Sequence, residues 1–508
     1  MTQTQRTTQI HYQQLQPAHH ISHDLIVVVQ WMHTNSELFR DLLCSFGNPI
    51  GGMIMTYRQK GVQLSLDSFG SALGTPLSPE NKWVMLANQI PWRKLEEAYQ
   101  LAFPSKLGRA AKPFRQLYGA ELIKQRTGLS DRELVDAIRD TPAYQYFMGL
   151  PGYQAKAPFT FSSLSYFRRR IASISELLRN IMADFVRQEL QTELNHQGLT
   201  KRNVMIIDAT AVPVKIKYPQ DTHLLNQARL SLEADLKAMS KQLKVAPPRT
   251  YKREAHKVWT AFSRQPRRWG KETRKQTKEQ LQYIRRDLRY VSALTALGAT
   301  LTKAQAQRLT TIKKVYAQQD EMFRNHVHSV NDRIVSLSQP EIRPIVRGKA
   351  KNPVEFGPKV DVSVADGVVD VERFSFDNLN ESTDFSEALD HYYDEHGFYP
   401  DEVLADTLYR TRKNIALCSN LGIRLSGPRL GRKPKHVDPK KRHDDQKTEN
   451  HRGEIEREFA FIKGKLGLDL ATNRIAETIA VSIDTAVVMV NLEGCCQPLL
   501  DQFHSQPL

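Results

Sequence analysis

Asp208, Asp406 and Glu456 are the residues whose placement along the chain could do chemistry. Asp208 closes the apolar run Val204-Met-Ile-Ile207, Asp406 closes Glu402-Val-Leu-Ala405, and Glu456 lies in His451-Arg-Gly-Glu-Ile-Glu-Arg-Glu-Phe-Ala-Phe-Ile-Lys463. Two carboxylates at the ends of strands that can lie side by side suit a pair of Mg²⁺ ions, with Mn²⁺ able to substitute. Such hard cations need anionic oxygens that converge on short stems, and a third acid from a helix beside them would complete the set. The chemistry this points to is metal-assisted phosphoryl transfer. At about 100° per residue, Ile455, Phe459, Ile462 and Leu466 form one apolar stripe, and Arg452, Glu456 and Lys463 form a charged column along its edge. A helix so patterned packs on a sheet and turns one acid and two bases toward a common site, where Arg452 and Lys463 would hold phosphates. Glu454 and Glu458 face elsewhere. Singly, an Asp at a strand end reads as a turn or cap residue, and a Glu between Arg and Lys as part of a solvated face. Joint placement on a first strand, a fourth strand and a last helix favours the catalytic reading over those, and over the rival acids Asp221 and Asp366.

These side chains need elements to position them. From Trp92 onward, apolar residues recur at helical spacing, Ser130 and Glu133 form a capping box, and Gly128 ends the helix before it. Residues 81–198 are thus an all-helical N-terminal domain, preceded by a variable segment, 1–80. Val204-Met-Ile-Ile207 reads as a buried strand with Asp208 at its end. Helical patterning rich in Lys and Arg then fills an insertion over 219–340. Lys359 to Ala365 and Val368 to Phe376 alternate around Asp366-Gly367, which predicts a hairpin. A helix from Asp384 to His396, stopped by Gly397, leads to the strand Glu402 to Ala405. A helix over Arg410 to Asn420, a strand Ile423 to Leu425 and a Gly/Pro/Lys/Arg-rich loop over 426–445 follow. Helices over Thr448 to Leu466 and Glu477 to Leu492 close the series. This order describes an α/β fold, an RNase H-like mixed sheet core formed by residues 199–218 and 341–495 around the large helical insertion.

The 508 residues carry 72 Lys+Arg against 55 Asp+Glu, a net charge of +17, so the favoured partners are polyanions and nucleic acid first. A hydrophobic share of 40% builds at least one sizeable core and excludes a wholly disordered chain. Between Arg249 and Arg289 stand 14 Lys/Arg and 4 Asp/Glu, interleaved with Trp259 and Trp269. Arg267, Arg268, Arg274 and Lys275 are candidate phosphate contacts, while helix packing is favoured over base contact for the two Trp. The loop carrying Arg429, Arg432 and Lys433 lies just before the Glu456 helix, placed to grip a nucleic-acid backbone. Cys44, Cys418, Cys495 and Cys496 form neither a disulfide framework nor a metal pattern, as expected in a reducing cytoplasm. The polar start MTQTQRTTQIHYQQLQ is no signal peptide. Thr478 to Val490 is interrupted by Asp484 and falls short of the roughly 20 residues a membrane span needs, so it reads as a buried terminal helix. His19-His20 and His326-Val-His328 lack partners at zinc spacing, and no phosphate-binding G-x-x-x-x-G-K-[ST] loop occurs.

The spacing Arg452-x3-Glu456-x6-Lys463, followed by Leu466-Gly-Leu, resembles the third-carboxylate signature of DDE transposases of the bacterial insertion-sequence-five supergroup. Ordered blocks agree, among them Ile207-Asp-Ala-Thr210, Arg333-Ile-Val-Ser-Leu-Ser-Gln-Pro340, Ala405-Asp-Thr-Leu-Tyr-Arg410 and Ile423-Arg-Leu-Ser-Gly-Pro428. Gly128-Leu-Ser-Asp131, Tyr144-Gln-Tyr-Phe147 and Ser162-Ser-Leu-Ser165 resemble the family's N-terminal domain, and the likeness spans residues 85–495. One departure is Glu449, where the family often has Tyr. The resemblance implies that Asp208, Asp406 and Glu456 are a DDE triad holding two Mg²⁺ ions. It also implies a DNA-binding or dimerisation role for the helical domain. The enzyme would bind the terminal inverted repeats of an insertion sequence, cleave the element ends and join the 3′-hydroxyls to target DNA. It would act as a homodimer or higher homo-oligomer on DNA, in the cytoplasm at the nucleoid. The rival classes are a catalytically inactive DNA-binding regulator of the element and a structure-selective RNase H-like nuclease.

Overall fold

A computed structural model describes residues 55–57, 65–69, 76–103, 109–197, 203–216, 218–346, 354–377, 380–426, 471 and 473–504. The chain divides into two units. In the smaller, residues 1–58 and 103–111, strand β1 (Met55–Thr56) pairs in parallel with β2 (Arg109–Ala110), and Tyr57 stacks on Phe103.

The larger unit opens with seven helices: α1 (Lys82–Gln89), α2 (Trp92–Gln100), α3 (Phe114–Thr127), α4 (Asp131–Asp140), α5 (Pro142–Phe147), α6 (Phe161–Ile171) and α7 (Ser175–Gln197). The local signals hold. Ser130 accepts from the Glu133 N–H while the Glu133 carboxylate accepts from the Ser130 N–H, and Gly128 turns left-handed at φ 69° to cap α3. Leu95, Tyr99, Phe114, Leu122, Phe147 and Phe167 fill the core between these helices.

The principal sheet has five strands in the order β7-β6-β3-β8-β9. They are β3 (Val204–Ala211), β6 (Lys359–Ala365), β7 (Val368–Ser375), β8 (Glu402–Ala405) and β9 (Arg424–Leu425); β4 (Pro344–Val346) and β5 (Val354–Phe356) pair apart from it. The first strand of the sheet is central, antiparallel to β6 and parallel to β8, and β9 lies parallel beyond β8. That arrangement, an antiparallel hairpin on one side and two parallel strands on the other, is the RNase H-like α/β sheet. The hairpin turns at Asp366 (φ 53°) and Gly367 (φ 82°), the left-handed pair that a two-residue turn demands.

One expectation is corrected. Asp208 does not end its strand: β3 runs on to Ala211 because its antiparallel partner β6 continues alongside, from Asp208 opposite Val362 to Ala211 opposite Lys359. Only the parallel pairing with β8 stops there, at Ile207 opposite Ala405.

Between β3 and β4 the chain makes four helices, α8 (Asp221–Leu243), α9 (Lys252–Ser263), α10 (Gly270–Ala296) and α11 (Lys303–Asn325). Of these, α8, α10 and α11 share an apolar core of their own, in which Leu225, Leu232, Ile284, Val291, Ile312 and Val315 are buried. Two helices follow the hairpin and β8 respectively, α12 (Phe385–His396) and α13 (Arg412–Asn420), and α14 (Ala476–His504) closes the described chain.

Helix α14 is buried along most of Thr478 to Leu492, as its sequence predicts. Asp484 accepts from Arg179 of α7 at 2.7 Å, and Asn491 bonds both the N–H and the carbonyl of Val369 in β7, at 2.8 and 2.9 Å. Ala183 and Val186 of α7 pack with Val368. The helical region and the edge of the sheet therefore share a core through α7 and α14. Among the described residues, no helix is long and apolar enough to cross a membrane.

Candidate active site

The site is built by register. Ile206 lies opposite Leu404 and Ile207 opposite Ala405 on parallel strands, so Asp208 and Asp406 are the next residues of two neighbouring strands, whose spacing is about 4.8 Å. Strand alternation puts Asp208 on the face of Ile206 and Leu404, opposite to the face on which Ile207 and Ala405 pack against Phe385 and Tyr409. Each carboxylate is steadied by its own backbone. The N–H of Ala209 donates to Oδ1 of Asp208 at 2.8 Å. Asp406 caps the short turn Thr407–Tyr409, where Oδ1 accepts from the Thr407 N–H at 2.5 Å and from its hydroxyl at 3.1 Å.

The rim of the site is tied down by Ser426 and Arg410. The Ala405 N–H donates to Ser426 Oγ at 3.1 Å, and Nη1 of Arg410 donates to the carbonyls of Leu425 and Ser426 at 2.6 and 2.5 Å. These bonds hold the end of β9 beside the end of β8. Farther on, Ala471 bridges to Val214, just past the end of β3, donating to the Pro213 carbonyl at 2.7 Å and accepting from Lys215 at 3.0 Å. Ser426 at the C-terminal end of β9 and Ala471 beside the C-terminal end of β3 thus lie toward the same edge of the sheet, where β3 and β8 part after Ile207 and Ala405. Arg429, Arg432, Lys433, Arg452, Glu456 and Lys463, with the helix expected over 448–466, lie outside the described residues.

Behind the pair lies an acid that the sequence pattern does not reveal. Asp361 of β6 faces α12 and is only 6% exposed; burial pushes its carboxyl up to about 7, with Lys359 opposing and Glu381 and Asp384 adding to the rise. Tyr409, 1% exposed, has its phenol raised above the usual range by burial and by Asp361, Glu381, Asp208 and Asp384. The alternation Lys359-Val-Asp-Val-Ser-Val-Ala365 reads as one wet and one dry face, yet β6 is buried on both because helices cover the sheet on each side. The signal available was negative: a hairpin carrying Asp361 and Ser363 inside a fold that expects helices on both faces.

The rival acids are accounted for. Asp221 opens α8 and accepts from Arg333 at 2.6 Å and Gln319 at 2.9 Å, which ties together the two ends of the insertion. Asp366 sits in the hairpin turn.

The basic candidates divide. Arg267 and Lys275 are exposed. Arg268 bonds Gln220 and the Ser263 carbonyl and stacks over Phe262, and Arg274 bonds the Phe323 carbonyl and stacks over its ring at 4.1 Å. Trp259 packs against His223 and Phe262, as helix packing requires. Trp269 corrects the same expectation: it stands at the N-cap of α10, outside the helix packing, and is 70% exposed. His326 is a left-handed helix cap that meets Arg274.

Two family models match parts of the chain. A family model described as "Transposase DDE domain" matches residues 403–493, which include Asp406 and Glu456. A second, "Transposase domain (DUF772)", matches residues 73–170, the first six helices. The chain is also similar to an uncharacterized protein, ORF8 in the nfe locus of Rhizobium meliloti, with 30% identity over 190 residues, 37% of this chain and 89% of that protein. No solved structure matches it.

Proposed function

The chain belongs to the DDE transposases of the bacterial insertion-sequence-five supergroup, and from that premise we propose that it binds the terminal inverted repeats of its own element, cleaves the ends and joins the freed 3′-hydroxyls to target DNA. The observation that supports this reading best is the placement of Asp208 and Asp406 one residue beyond the paired Ile207 and Ala405. Two carboxylates on rigid neighbouring strands, each oriented by a local hydrogen bond, are the donor set that hard divalent cations require.

Asp208, Asp406 and Glu456 would hold two Mg²⁺ ions, or Mn²⁺ in their place. When bound, such a pair neutralises charge at the scissile phosphate and makes the attacking water or 3′-hydroxyl and the leaving oxygen easier to ionise. The protein's own part is positional. Ala209 and Thr407 fix the rotamers of the two strand acids, and Arg410 and Ser426 set where the chain toward Glu456 departs. Arg452 and Lys463 would carry the phosphates of the scissile strand. Arg267, Lys275 and the loop residues Arg429, Arg432 and Lys433 would neutralise phosphates farther along the duplex. Pairing of two ends calls for a homodimer or higher oligomer on DNA.

The reading is tested by incubating the full chain with labelled duplexes carrying the element's ends, in Mg²⁺. Nicking at the 3′ ends and joining to a second duplex are expected. Binding without nicking would instead favour an inactive regulator, and cleavage of branched duplexes regardless of sequence would favour a structure-selective nuclease.

A further inference from the structure

Two helices of the N-terminal region compete for the role of entering a DNA groove. Helices α3 and α4 are joined by the short turn Gly128-Leu-Ser130, the connection of a helix-turn-helix, whose second helix ordinarily reads bases. The surface chemistry of α4 argues against it. Its exposed positions include Glu133, Asp136 and Asp140; Glu133 closes the capping box, and the two Asp are paired with Arg139 of the same helix. Phosphate oxygens would meet carboxylates there.

Helix α6 has the opposite character. Its eleven residues, Phe-Ser-Ser-Leu-Ser-Tyr-Phe-Arg-Arg-Arg-Ile, contain no acid. Leu164, Phe167, Arg168 and Ile171 are buried. Arg168 fixes the helix: its guanidinium bonds Glu121 of α3 at 2.9 Å and Asp131 of α4 at 2.5 Å, and Lys124 meets the same Asp131 at 2.6 Å. This ion network joins three helices and sets the rotation of α6, because Arg168 and Glu121 are buried and turning the helix would leave both charges unpaired in the core, while the half-buried Asp131 holds the other arm of the guanidinium. The face turned outward carries Phe161 (44% exposed), Ser162, Ser165 and Tyr166 (55% exposed), with Arg169 half-buried on the same arc. Arg132 of α4 lies over the Phe161 ring at 4.7 Å and brings a further positive charge to that face.

Large exposed rings on a rigid acid-free helix need a partner. Serine and tyrosine hydroxyls both donate and accept at base edges, apolar rings meet thymine methyl groups, and an Arg fork matches guanine; the major groove admits one helix of this width. We infer that α6 is the helix that reads base sequence in the major groove of duplex DNA, with α4 beside it contributing Arg132 and making no base contact. This inference rests on the end-binding reading above and adds which surface confers the sequence preference.

The experiment uses the full chain and a pool of random-sequence duplexes. Bound duplexes are recovered and sequenced, and the enriched duplex is then titrated against a scrambled one. The wild-type protein should enrich one sequence. The triple variant Ser162→Ala, Ser165→Ala, Tyr166→Ala should lose its preference for that duplex by about tenfold or more. Its affinity for the scrambled duplex and its salt dependence should stay within about twofold, because none of the removed groups neutralises phosphate. Asp136→Asn with Asp140→Asn on α4 should leave the preference intact. Should the triple variant melt early, Tyr166→Phe keeps the ring and removes only the hydroxyl, and it should still alter the recovered sequence. Preference unchanged in both the triple variant and Tyr166→Phe would overturn the assignment of α6. A wild-type protein that enriches no sequence would instead overturn the end-binding reading itself.

Discussion

Asp406 takes its orientation from Thr407, whose N–H and hydroxyl both donate to Oδ1. Thr407→Ala removes the hydroxyl and the γ-methyl but keeps the N–H, so cleavage should fall by roughly tenfold, what about 1.4 kcal/mol of lost orientation amounts to, and should recover with Thr407→Ser, which restores the hydroxyl alone. Rates of single-turnover nicking would show this. Asp361 makes a different prediction. Its pKa rises on folding from the ordinary 3.8 to about 7 through burial, so the native state holds its proton more tightly than the unfolded chain does. Its favourable share of stability is full below about pH 4 and is lost as pH climbs through about 7. Asp361→Asn should therefore melt higher than wild type at pH 8, with the gap closing toward pH 4, in melting curves taken across that range. An unchanged gap would mean that the carboxyl stays ionised in the fold. Asp208 and Asp406 were legible from sequence because a carboxylate that ends an apolar run is a local signal. Asp361 was not, since its burial depends on helices remote in the chain.

At the scale of elements, the end of β3 is held by close backbone approach. Gly357 lies against the Val212 carbonyl, and a Cβ built there would stand 2.0 Å from that oxygen. Val212 and Val214 also bond the carbonyls of Pro358 and Phe356 at 3.0 and 2.8 Å. Gly357→Ala should destabilise the protein by more than about 2 kcal/mol, since backbone on both sides must move. It should also lower cleavage at temperatures where the protein is still folded, because Val214 carries the bridge to Ala471. Denaturant melts paired with nicking assays would separate the two effects. The hairpin, the helix ending at Gly397 and the capped helices around Gly128 were readable from periodicity and turn chemistry. The short pairing of β4 with β5 was not: strands of three residues carry too little alternation to show. Nor was the continuation of β3 past Asp208, which its partner strand imposes.

Across the whole molecule, charge is unevenly committed. Exposed Arg267 and Lys275 are placed to neutralise phosphate, whereas Arg268 and Arg274 also bind the insertion to itself. Arg267→Gln with Lys275→Gln should flatten the log-log salt dependence of DNA binding by about 0.9 for each phosphate contact removed, with no loss of thermal stability. The matching change at Arg268 and Arg274 should lower the melting temperature as well. An unchanged slope in the first variant would move the phosphate contacts to the 429–442 loop. The exposure of Trp269 could not be read from composition, because aromatic residues among arginines pattern alike whether they pack or protrude.

The measurement that bears most directly on a phosphoryl-transfer site where the pairing of β3 with β8 stops is a paired assay of Asp406→Asn against wild type. It follows end binding by mobility shift and nicking and joining of labelled ends in Mg²⁺. The side chains are nearly isosteric, and the amide still accepts from Thr407, so the fold and the DNA affinity should persist while nicking and joining both fall below detection. Wild-type rates of nicking by Asp406→Asn, with binding equally intact, would contradict the assignment and move the chemistry away from the paired strands.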